Sequence, residues 1–413
     1  MRVASRDIGV SYPSHKLWYS SFIWVARRTI LPVLKLKLHI KTKKDRRPMP
    51  VPCIMVYNHI SNYDYMCNVD VFRPYIRYII SDAMLRNKLN AFVFPKVTDF
   101  IYRRKGERAD DAVESVKVTI AEGICVGIAP EGGVTSNGVT EAIRPRTGVL
   151  IKDCNCGLVT IAQHGGYFIY PTWARFKAKG PIYAEVVGRY SKEEVSAMTP
   201  DEINALIARD IHVNHYEWIK KERIIYKRKN RAEWMERVTG ICPKCKSMDS
   251  MHSCIDDLYC EKCGHRVTVD EYGLFQGEEA FFDNLYDWDM WQRGHLQDQR
   301  QRWLDSPDET IAADDHMQLN ILRNNFPVLL EDDVRVEMDT KELRIIGKEN
   351  NLVMPLREIS GIVSAIQDGY GIAFKDEYYQ LKAPRPLWND KMRYVRKIIL
   401  GESIGTRPKD DTL

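Results

Sequence analysis

The heptapeptide NHISNYD, residues 58–64, carries the side chains of this sequence that are best suited to acid–base chemistry. It directly follows the apolar run CIMVY, which predicts a strand that ends just before His59. Residues five apart do not face each other on a helix, so His59 and Asp64 meet only if Asp64 lies in the first turn of the next helix. In that arrangement the carboxylate fixes the imidazole tautomer, and the other ring nitrogen accepts a proton from a substrate.

The same heptapeptide also has an interpretation without catalysis. Ser61 is a candidate N-cap, and Ser61-x-x-Asp64 has the spacing of a capping box. In a capping box Asp64 accepts a hydrogen bond from the backbone amide of Ser61 and takes no part in chemistry. The heptapeptide alone leaves both interpretations open.

The segment DFIYRRKGER, residues 99–108, is a candidate anion site. Phe100 and Ile101 precede Arg103, whose planar guanidinium suits a phosphate through two parallel hydrogen bonds. A solvated basic surface is the alternative for this run of charges.

The segment PEGG, residues 130–133, follows the apolar run ICVGIA. Gly132 and Gly133 allow a sharp turn whose backbone amides point at a ligand. Glu131 is then at the end of a strand, where α/β folds place functional groups. A simple turn is the alternative.

Four cysteines form the most specific motif of the chain. Cys242-Pro-Lys-Cys245 and Cys260-Glu-Lys-Cys263 are two knuckles separated by fourteen residues, a spacing that lets four thiolates surround Zn²⁺ tetrahedrally. A closed four-thiolate site keeps no open position for a substrate, so the predicted role of the metal is structural. The competing ligands, which the knuckle spacing does not favour, are His252, Cys254 and His265.

An α/β domain over residues 51–190 is predicted to position the first three segments. Short apolar runs begin at residues 53, 124, 158 and 182 and alternate with helical patterns. Continuous apolar strands separated by helices are typical of a mixed sheet flanked by helices.

The rest of the chain divides by its character into five ranges. The C-terminal module loosely resembles a pleckstrin-homology (PH) barrel, and Asp368-Gly369 in it signals a hairpin. Ser191 and Thr199, each followed by acids, signal helix starts. The predicted ranges are a basic amphipathic membrane-surface segment (1–50), a charged helical segment (191–239), a zinc ribbon (240–275), an acidic helical connector (276–325) and a β-rich module with a C-terminal helix (326–405).

Composition limits the classes of protein to which the chain can belong. Its 413 residues are 44% hydrophobic, enough for two to four packed domains rather than a disordered chain. A mean hydropathy of −0.38 and the lack of an 18-residue apolar run exclude a polytopic membrane protein. Residues 1–50 hold twelve Lys or Arg and two Asp, a net charge of +10, which points to nucleic acid or anionic lipid headgroups. Ten cysteines, four of them in knuckles, and no secretory signal favour the reducing cytoplasm.

The first three segments together resemble three of the four sequence blocks of the glycerolipid acyltransferases, the family of 1-acyl-glycerol-3-phosphate acyltransferase. The blocks are Asn58-His59-x-Ser61-x-x-Asp64, Phe100-Ile101-x-Arg103 and Pro130-Glu131-Gly132, and the likeness covers roughly residues 50–190.

This resemblance implies a site and a mechanism. His59 deprotonates an acceptor hydroxyl and Asp64 orients the imidazole. Arg103 and the Glu131-Gly132 turn engage the glycerol phosphate, with Asn58 and Ser61 as further substrate-binding residues. The hydroxyl attacks an acyl thioester without an acyl-enzyme, in keeping with the lack of a G-x-S-x-G elbow in this sequence.

The sequence departs from the family pattern in three places. Val97 replaces a usual glycine, Gly133-Val134 replaces Thr-Arg, and the apolar fourth block near Val159–Ala162 lacks a proline. The lost arginine removes a phosphate ligand, so an atypical lysolipid is an alternative acceptor. The candidates to replace that arginine are Arg104, Lys105, Arg144 and Arg146.

Two functions of different classes follow from these patterns. The first is a peripheral acyltransferase on the inner, cytoplasmic face of a membrane, with a structural Zn²⁺. It takes its acyl chain from acyl-CoA or acyl-carrier protein, and its partners are a lysophospholipid acceptor and anionic lipids. The alternative is a zinc-ribbon nucleic-acid-binding protein with a basic N-terminal arm. The net charge of −8 over residues 276–315 and the aromatic residues within the basic segment argue against nucleic acid.

Overall fold

The computed structural model describes residues 13–43, 47–81, 85, 92, 99–103, 110–323, 326–365 and 369–405. The chain forms two compact units, one of Met1–Pro171 with Ala178–Lys227 and one of Thr172–Lys177 with Arg228–Leu413. The second unit therefore begins at Arg228, before the predicted start of the zinc ribbon at residue 240, and it also takes in residues 172–177.

The described residues of the first unit form one seven-stranded sheet with the order β1-β7-β6-β2-β5-β3-β4. Strands β6 and β7 pair antiparallel and the other neighbours pair parallel, so the sheet is mixed, as predicted. Its strands are β1 (Ile40–Thr42), β2 (Cys53–Tyr57), β3 (Ile76–Ser81), β4 (Ile101–Arg103), β5 (Cys125–Ile128), β6 (Gly157–His164) and β7 (Ile182–Tyr190).

Helices flank this sheet, and the central strands are buried from end to end. Ile54 of β2 and Val126 of β5 belong to a core that also includes Val116, Ile151 and Ile207 from three helices. Burial on both faces explains why these strands are continuous apolar runs rather than alternating patterns. The helices of this unit are α1 (Pro13–Arg28), α2 (Ile30–Leu38), α3 (Asp64–Val71), α4 (Asp110–Ala121), α5 (Arg146–Cys154), α6 (Gly166–Ile169), α7 (Lys192–Ala197), α8 (Pro200–Ile211) and α9 (His215–Glu222).

The predicted helix starts at Ser191 and Thr199 are confirmed. Each side chain accepts a hydrogen bond from the backbone amide three residues later, and Glu194 and Glu202 return the bond to the cap residue. Both α7 and α8 therefore begin with a complete capping box.

The N-terminal helices α1 and α2 present apolar side chains to solvent. Leu31 is the buried residue of α2, whereas neighbouring large apolar residues are exposed. No helix among the described residues is long and apolar enough to cross a bilayer. The exposed set, here called the apolar face, consists of Trp24, Val25, Ile30, Val33 and Leu36.

In the part of the second unit that the structure describes there are two antiparallel sheets. The smaller has the order β11-β10-β9-β8, and the larger has the order β15-β14-β13-β12-β18-β17-β16. Its strands are β8 (Met251–Cys254), β9 (Asp257–Cys260), β10 (Arg266–Val269), β11 (Phe275–Gln276), β12 (Ala312–Arg323), β13 (Phe326–Met338), β14 (Glu342–Ile346), β15 (Asn351–Pro355), β16 (Ile359–Ala365), β17 (Gly369–Phe374) and β18 (Glu377–Lys382). Its helices are α10 (Leu285–Asp298), α11 (Arg300–Asp305) and α12 (Lys391–Ile399), with a 3₁₀ turn at Met235–Arg237.

A β-rich module that ends in a helix is therefore present, while its likeness to a PH barrel stays a prediction. The range predicted as a helical connector, 276–325, holds α10 and α11 but also the whole of β12. The strand is signalled by Met317, Leu319 and Ile321, which alternate and are buried, although acidic residues precede them.

Strands β16 and β17 pair antiparallel, as the hairpin signal predicted. Four positions from the sequence analysis lie outside the described residues: Val97, Arg104, Lys105 and Asp368.

Candidate active site

His59 and Asp64 lie together at the carboxyl end of β2. The strand ends at Tyr57 and α3 begins at Asp64, which is the break that the pairing requires. His59 Nδ1 lies 2.8 Å from Asp64 Oδ2. The imidazole is 28% exposed and the carboxylate only 3%, so the ring can meet a substrate while its partner is shielded from water.

The Asp64 carboxylate is held by several donors at once. Oδ2 also accepts the amides of Ile60 at 2.9 Å and Ser61 at 3.3 Å, and Oδ1 accepts the Ser61 hydroxyl at 2.8 Å. The capping contact and the histidine pair thus coexist on one carboxylate. An acceptor-only carboxylate that faces Nδ1 keeps the ring proton there, which leaves Nε2 free to accept a proton.

Ser61 differs from its predicted role as the helix cap. Tyr63, not Ser61, occupies the N-cap position of α3, and the Ser61 hydroxyl oxygen accepts the amide of Tyr63 at 3.1 Å. Residues 62 and 63 form a turn before the helix begins, and the Asp64 carboxylate accepts the amides of residues 60 and 61.

The segment after β5 forms hydrogen bonds with both backbone groups of His59. The amide of His59 donates to Glu131 Oε1 at 2.6 Å, and its carbonyl accepts the amide of Thr135 at 3.0 Å. The other oxygen of Glu131 accepts the amide of Glu141 at 2.8 Å. Since β2 and β5 are parallel neighbours, their carboxyl ends bring these residues together.

Glu131 is buried, and its carboxylate oxygens both accept backbone amides. Burial raises the pKa of Glu131 to about 8, although its two amide hydrogen bonds oppose the shift. These contacts favour a role in positioning His59. Direct contact of Glu131 with an acceptor stays a prediction.

Asn58 connects the end of β2 to β6. Its side-chain amide donates to the Gln163 carbonyl at 2.9 Å, and its oxygen accepts the Gln163 amide at 2.8 Å. Asn58 and Ser61 are both buried, with side-chain polar atoms engaged inside the protein. These contacts favour a structural role for both residues beside His59. A substrate contact by Asn58 or Ser61 stays a prediction.

Arg103 and Arg144 approach each other beside the glycine turn. Burial, and then the positive charge of Arg144, lower the pKa of Arg103. The Arg103 Nε is buried without a hydrogen-bond partner within the described part of the chain. Two guanidinium groups placed close together, one with an unsatisfied buried donor, favour binding of an anion.

Gly132 allows this approach of Arg144. Its φ is +78°, and a Cβ atom built there would lie 2.4 Å from Arg144 Nη2. A side chain at residue 132 would therefore displace the guanidinium. Of the candidates to replace the lost arginine, Arg144 lies at the turn, while Arg146 is exposed at the start of α5.

Sequence reasoning missed Thr135, Glu141 and Gln163. Their backbone groups form hydrogen bonds with His59, Glu131 and Asn58, respectively. Gln163 is 105 residues from Asn58, and a backbone amide or carbonyl carries no residue-type signal. Only knowledge of which strands are neighbours can find such contacts.

The four predicted cysteines form a second site, in the second unit. Their Sγ atoms all lie within 4.8 Å of one another, with Cys242 to Cys263 at 3.6 Å and Cys245 to Cys260 at 3.7 Å. A tetrahedral zinc with Zn–S bonds of about 2.3 Å separates its sulfurs by about 3.8 Å. The arrangement of the four sulfurs therefore fits a metal ion bound by four thiolates.

The competing ligands are not members of this group of ligand atoms. His252 Nε2 is 3.1 Å from a Glu261 oxygen, Cys254 is exposed, and the ring of His265 packs against Phe281. Among the described residues, the cysteines alone form a group able to hold a metal.

Residues 39–175 match the acyltransferase family model, which covers about a third of the chain. No curated protein matches the chain. The 1-acyl-sn-glycerophosphate (LPA) acyltransferase PlsC from Thermotoga maritima overlaps 50% of this chain and 88% of its own, at 13% identity and a TM-score of 0.37. The Vps36 N-terminal PH domain overlaps 22% of this chain and 80% of its own, at 15% identity and a TM-score of 0.19. The family match supports an acyltransferase, and neither structural overlap at these scores bears on its activity.

Proposed function

We propose that the chain transfers an acyl group from acyl-CoA or acyl-carrier protein to the free hydroxyl of a lysophospholipid. The proposed acceptor is 1-acyl-sn-glycerol-3-phosphate and the product is phosphatidic acid. One observation carries the proposal: the contact of His59 Nδ1 with Asp64 Oδ2 at 2.8 Å, in a ring that is 28% exposed. With its proton held on Nδ1 by the carboxylate, the ring would use Nε2 as the base. The acyltransferase match over residues 39–175 includes both residues.

The acyl group passes directly from the thioester sulfur of the donor to the hydroxyl oxygen of the acceptor. Nε2 of His59 removes the proton of the acceptor hydroxyl as its oxygen attacks the thioester carbonyl, and Asp64 stabilises the imidazolium that forms. The tetrahedral intermediate then expels the thiolate of the donor, which takes the proton from Nε2. No covalent acyl-enzyme is needed, and the ring returns to its starting state.

Arg103 and Arg144 are the proposed ligands of the acceptor phosphate. A phosphate monoester carries close to two negative charges at neutral pH, which two guanidinium groups can match. Arg144 would take the place of the family arginine that this sequence lacks after Gly132. The acceptor would then be anionic rather than zwitterionic.

The apolar face of α1 and α2 is the proposed membrane contact. Five exposed apolar side chains on a basic segment suit the boundary between headgroups and acyl chains, where the acceptor resides. We place the protein peripherally on the cytoplasmic face of a membrane with anionic lipids.

Cys242, Cys245, Cys260 and Cys263 are the proposed ligands of a structural Zn²⁺ in a zinc ribbon. The ion would supply a cross-link that stabilises a four-stranded sheet too small to fold alone.

An acyl-transfer assay with several acceptors tests the proposed function. The purified protein is given radiolabelled acyl-CoA or acyl-carrier protein with lysophosphatidate, lysophosphatidylcholine or glycerol 3-phosphate in mixed vesicles. We expect labelled phosphatidic acid from lysophosphatidate and little product from the zwitterionic lysolipid. Failure to label any of the acceptors with either donor contradicts the proposal.

A further inference from the structure

Arg27, near the end of α1, holds the end of α3. Its Nε donates to the Val69 carbonyl at 3.1 Å, its Nη2 to the Phe72 carbonyl at 2.7 Å, and its Nη1 to the Arg73 carbonyl at 3.0 Å. The last carbonyls of a helix have no partners within the helix, and a cation there also interacts favourably with the helix dipole. One guanidinium therefore satisfies three acceptors at the carboxyl end of α3.

A second contact joins the same elements. Lys35 of α2 forms an ion pair with Asp70 of α3, and the hydroxyl of Thr42 donates to the same carboxylate. Both Lys35 and Asp70 are partly buried. Both N-terminal helices are thus attached to the last turn of α3.

The opposite end of α3 carries the proposed catalytic carboxylate. Asp64 is the first residue of this helix, and the helix has only eight residues. At about 1.5 Å per residue it is about 12 Å long, short enough to move as a rigid rod. A shift of its carboxyl end therefore changes the position of Asp64 and of the imidazole that Asp64 orients.

We propose that Arg27 is a positioning residue for catalysis, through which the apolar face of α1 and α2 is coupled to the His59–Asp64 pair. When that face lies on a bilayer, Arg27 holds α3 in the alignment that the proton transfer needs. This inference rests on the proposed function. The addition to that function is that the Arg27 guanidinium links the membrane contact of α1 and α2 to the alignment of His59.

Arg28 offers a matched control on the next residue of the same helix. Its Nη1 donates to the Trp24 carbonyl at 3.2 Å, and its guanidinium lies 3.9 Å from the centre of the Trp24 ring. These contacts stay within α1. Arg28→Gln removes the same charge as Arg27→Gln but leaves the carbonyls of Val69, Phe72 and Arg73 paired.

The first test compares the two variants on anionic vesicles at saturating acceptor. We expect Arg27→Gln to lower kcat by about 10 to 100-fold, because small misplacements of catalytic groups have costs of this size. We expect Arg28→Gln to keep the wild-type kcat, with both variants losing vesicle affinity by the same factor. Equal kcat values in the two variants overturn the inference.

A double-mutant cycle with Asp64→Asn separates positioning from a general loss of structure. If Arg27 acts through Asp64, then Arg27→Gln lowers kcat much less in the Asp64→Asn background than in the wild type. Independent, multiplicative losses overturn the inference, as does a loss of kcat that follows only the unfolded fraction seen in thermal unfolding. A wild-type protein without acyl transfer would instead contradict the proposed function, so the two failures are distinguishable.

Discussion

At the scale of single residues, the Asp64 carboxylate serves two groups at once: Oδ2 lies 2.8 Å from His59 Nδ1 and also accepts the amide of Ser61 at 3.3 Å. The sequence left the histidine pair and the capping contact as open alternatives, and the structure shows both on one carboxylate. The partners of Glu131 could not be predicted. They are backbone amides of His59 and Glu141, which meet the carboxylate only after the turn has folded.

Glu131 gives a prediction about pH. Its pKa is about 8 in the folded protein and about 4.3 in an unfolded chain, so the native state binds more protons between these values. The stabilisation that protonated Glu131 gives the native state is therefore fully present below about pH 4.3 and is lost as the pH rises towards about 8. We expect the unfolding free energy of the wild type to fall relative to that of Glu131→Gln over this range, measured by urea unfolding. A difference that is independent of pH contradicts the assignment.

At the scale of elements, periodicity predicted the strands and helices that face a core, and the capping boxes of α7 and α8. Strand β12 was missed because its acidic start resembles the helical segment before it, although Met317, Leu319 and Ile321 alternate. Long-range polar contacts were beyond prediction. Lys391 of α12, for example, donates to Asp249 at 2.7 Å and to Asp314 of β12 at 2.6 Å.

Lys391 should contribute strongly to the stability of the second unit. Its side chain is 1% exposed, and Lys391→Met leaves the buried Asp314 without its cation. Breaking a buried ion pair costs about 3–5 kcal/mol. The control is Lys341→Met, whose pair with Asp308 is exposed and which should cost about 0–1 kcal/mol. Chemical unfolding of both variants measures the difference, and equal losses would contradict the expected role.

Removal of the metal should destabilise the same unit. Cys242 follows Ile241, which belongs to the core shared with β12 and α12, so loosening the cysteine cluster disturbs that core. We expect about one zinc per chain by elemental analysis, and a lower unfolding temperature of the second unit after chelation or in Cys242→Ser. Protein that lacks zinc as isolated and unfolds identically with a chelator would contradict a structural metal site.

At the scale of the whole molecule, composition predicted a basic end on an otherwise acidic chain, but could not choose between lipid and nucleic acid. The structure adds that, among the side chains it describes, α1 and α2 expose the five of the apolar face, which suits a lipid surface better than a phosphate backbone. The boundary between the two units was not predictable, because residues 172–177 join the second unit through contacts distant in sequence.

We expect the full chain to sediment with anionic vesicles, and the binding to weaken as salt is raised. Val33→Asp should reduce sedimentation, since it places a charge within the apolar face. The control is Val187→Asp, which changes an exposed valine on β7 outside that face. Tighter association with duplex DNA than with vesicles at the same salt concentration would favour the nucleic-acid alternative.

The central claim is that His59 is the base that activates the acceptor hydroxyl, and the most direct measurement is kcat for acyl transfer in His59→Ala. We predict a loss of about 10² to 10⁴-fold with thermal unfolding unchanged. The control is His212→Ala, an exposed histidine at the end of α8, which should retain wild-type activity. A folded His59→Ala protein with near-normal kcat would contradict the account.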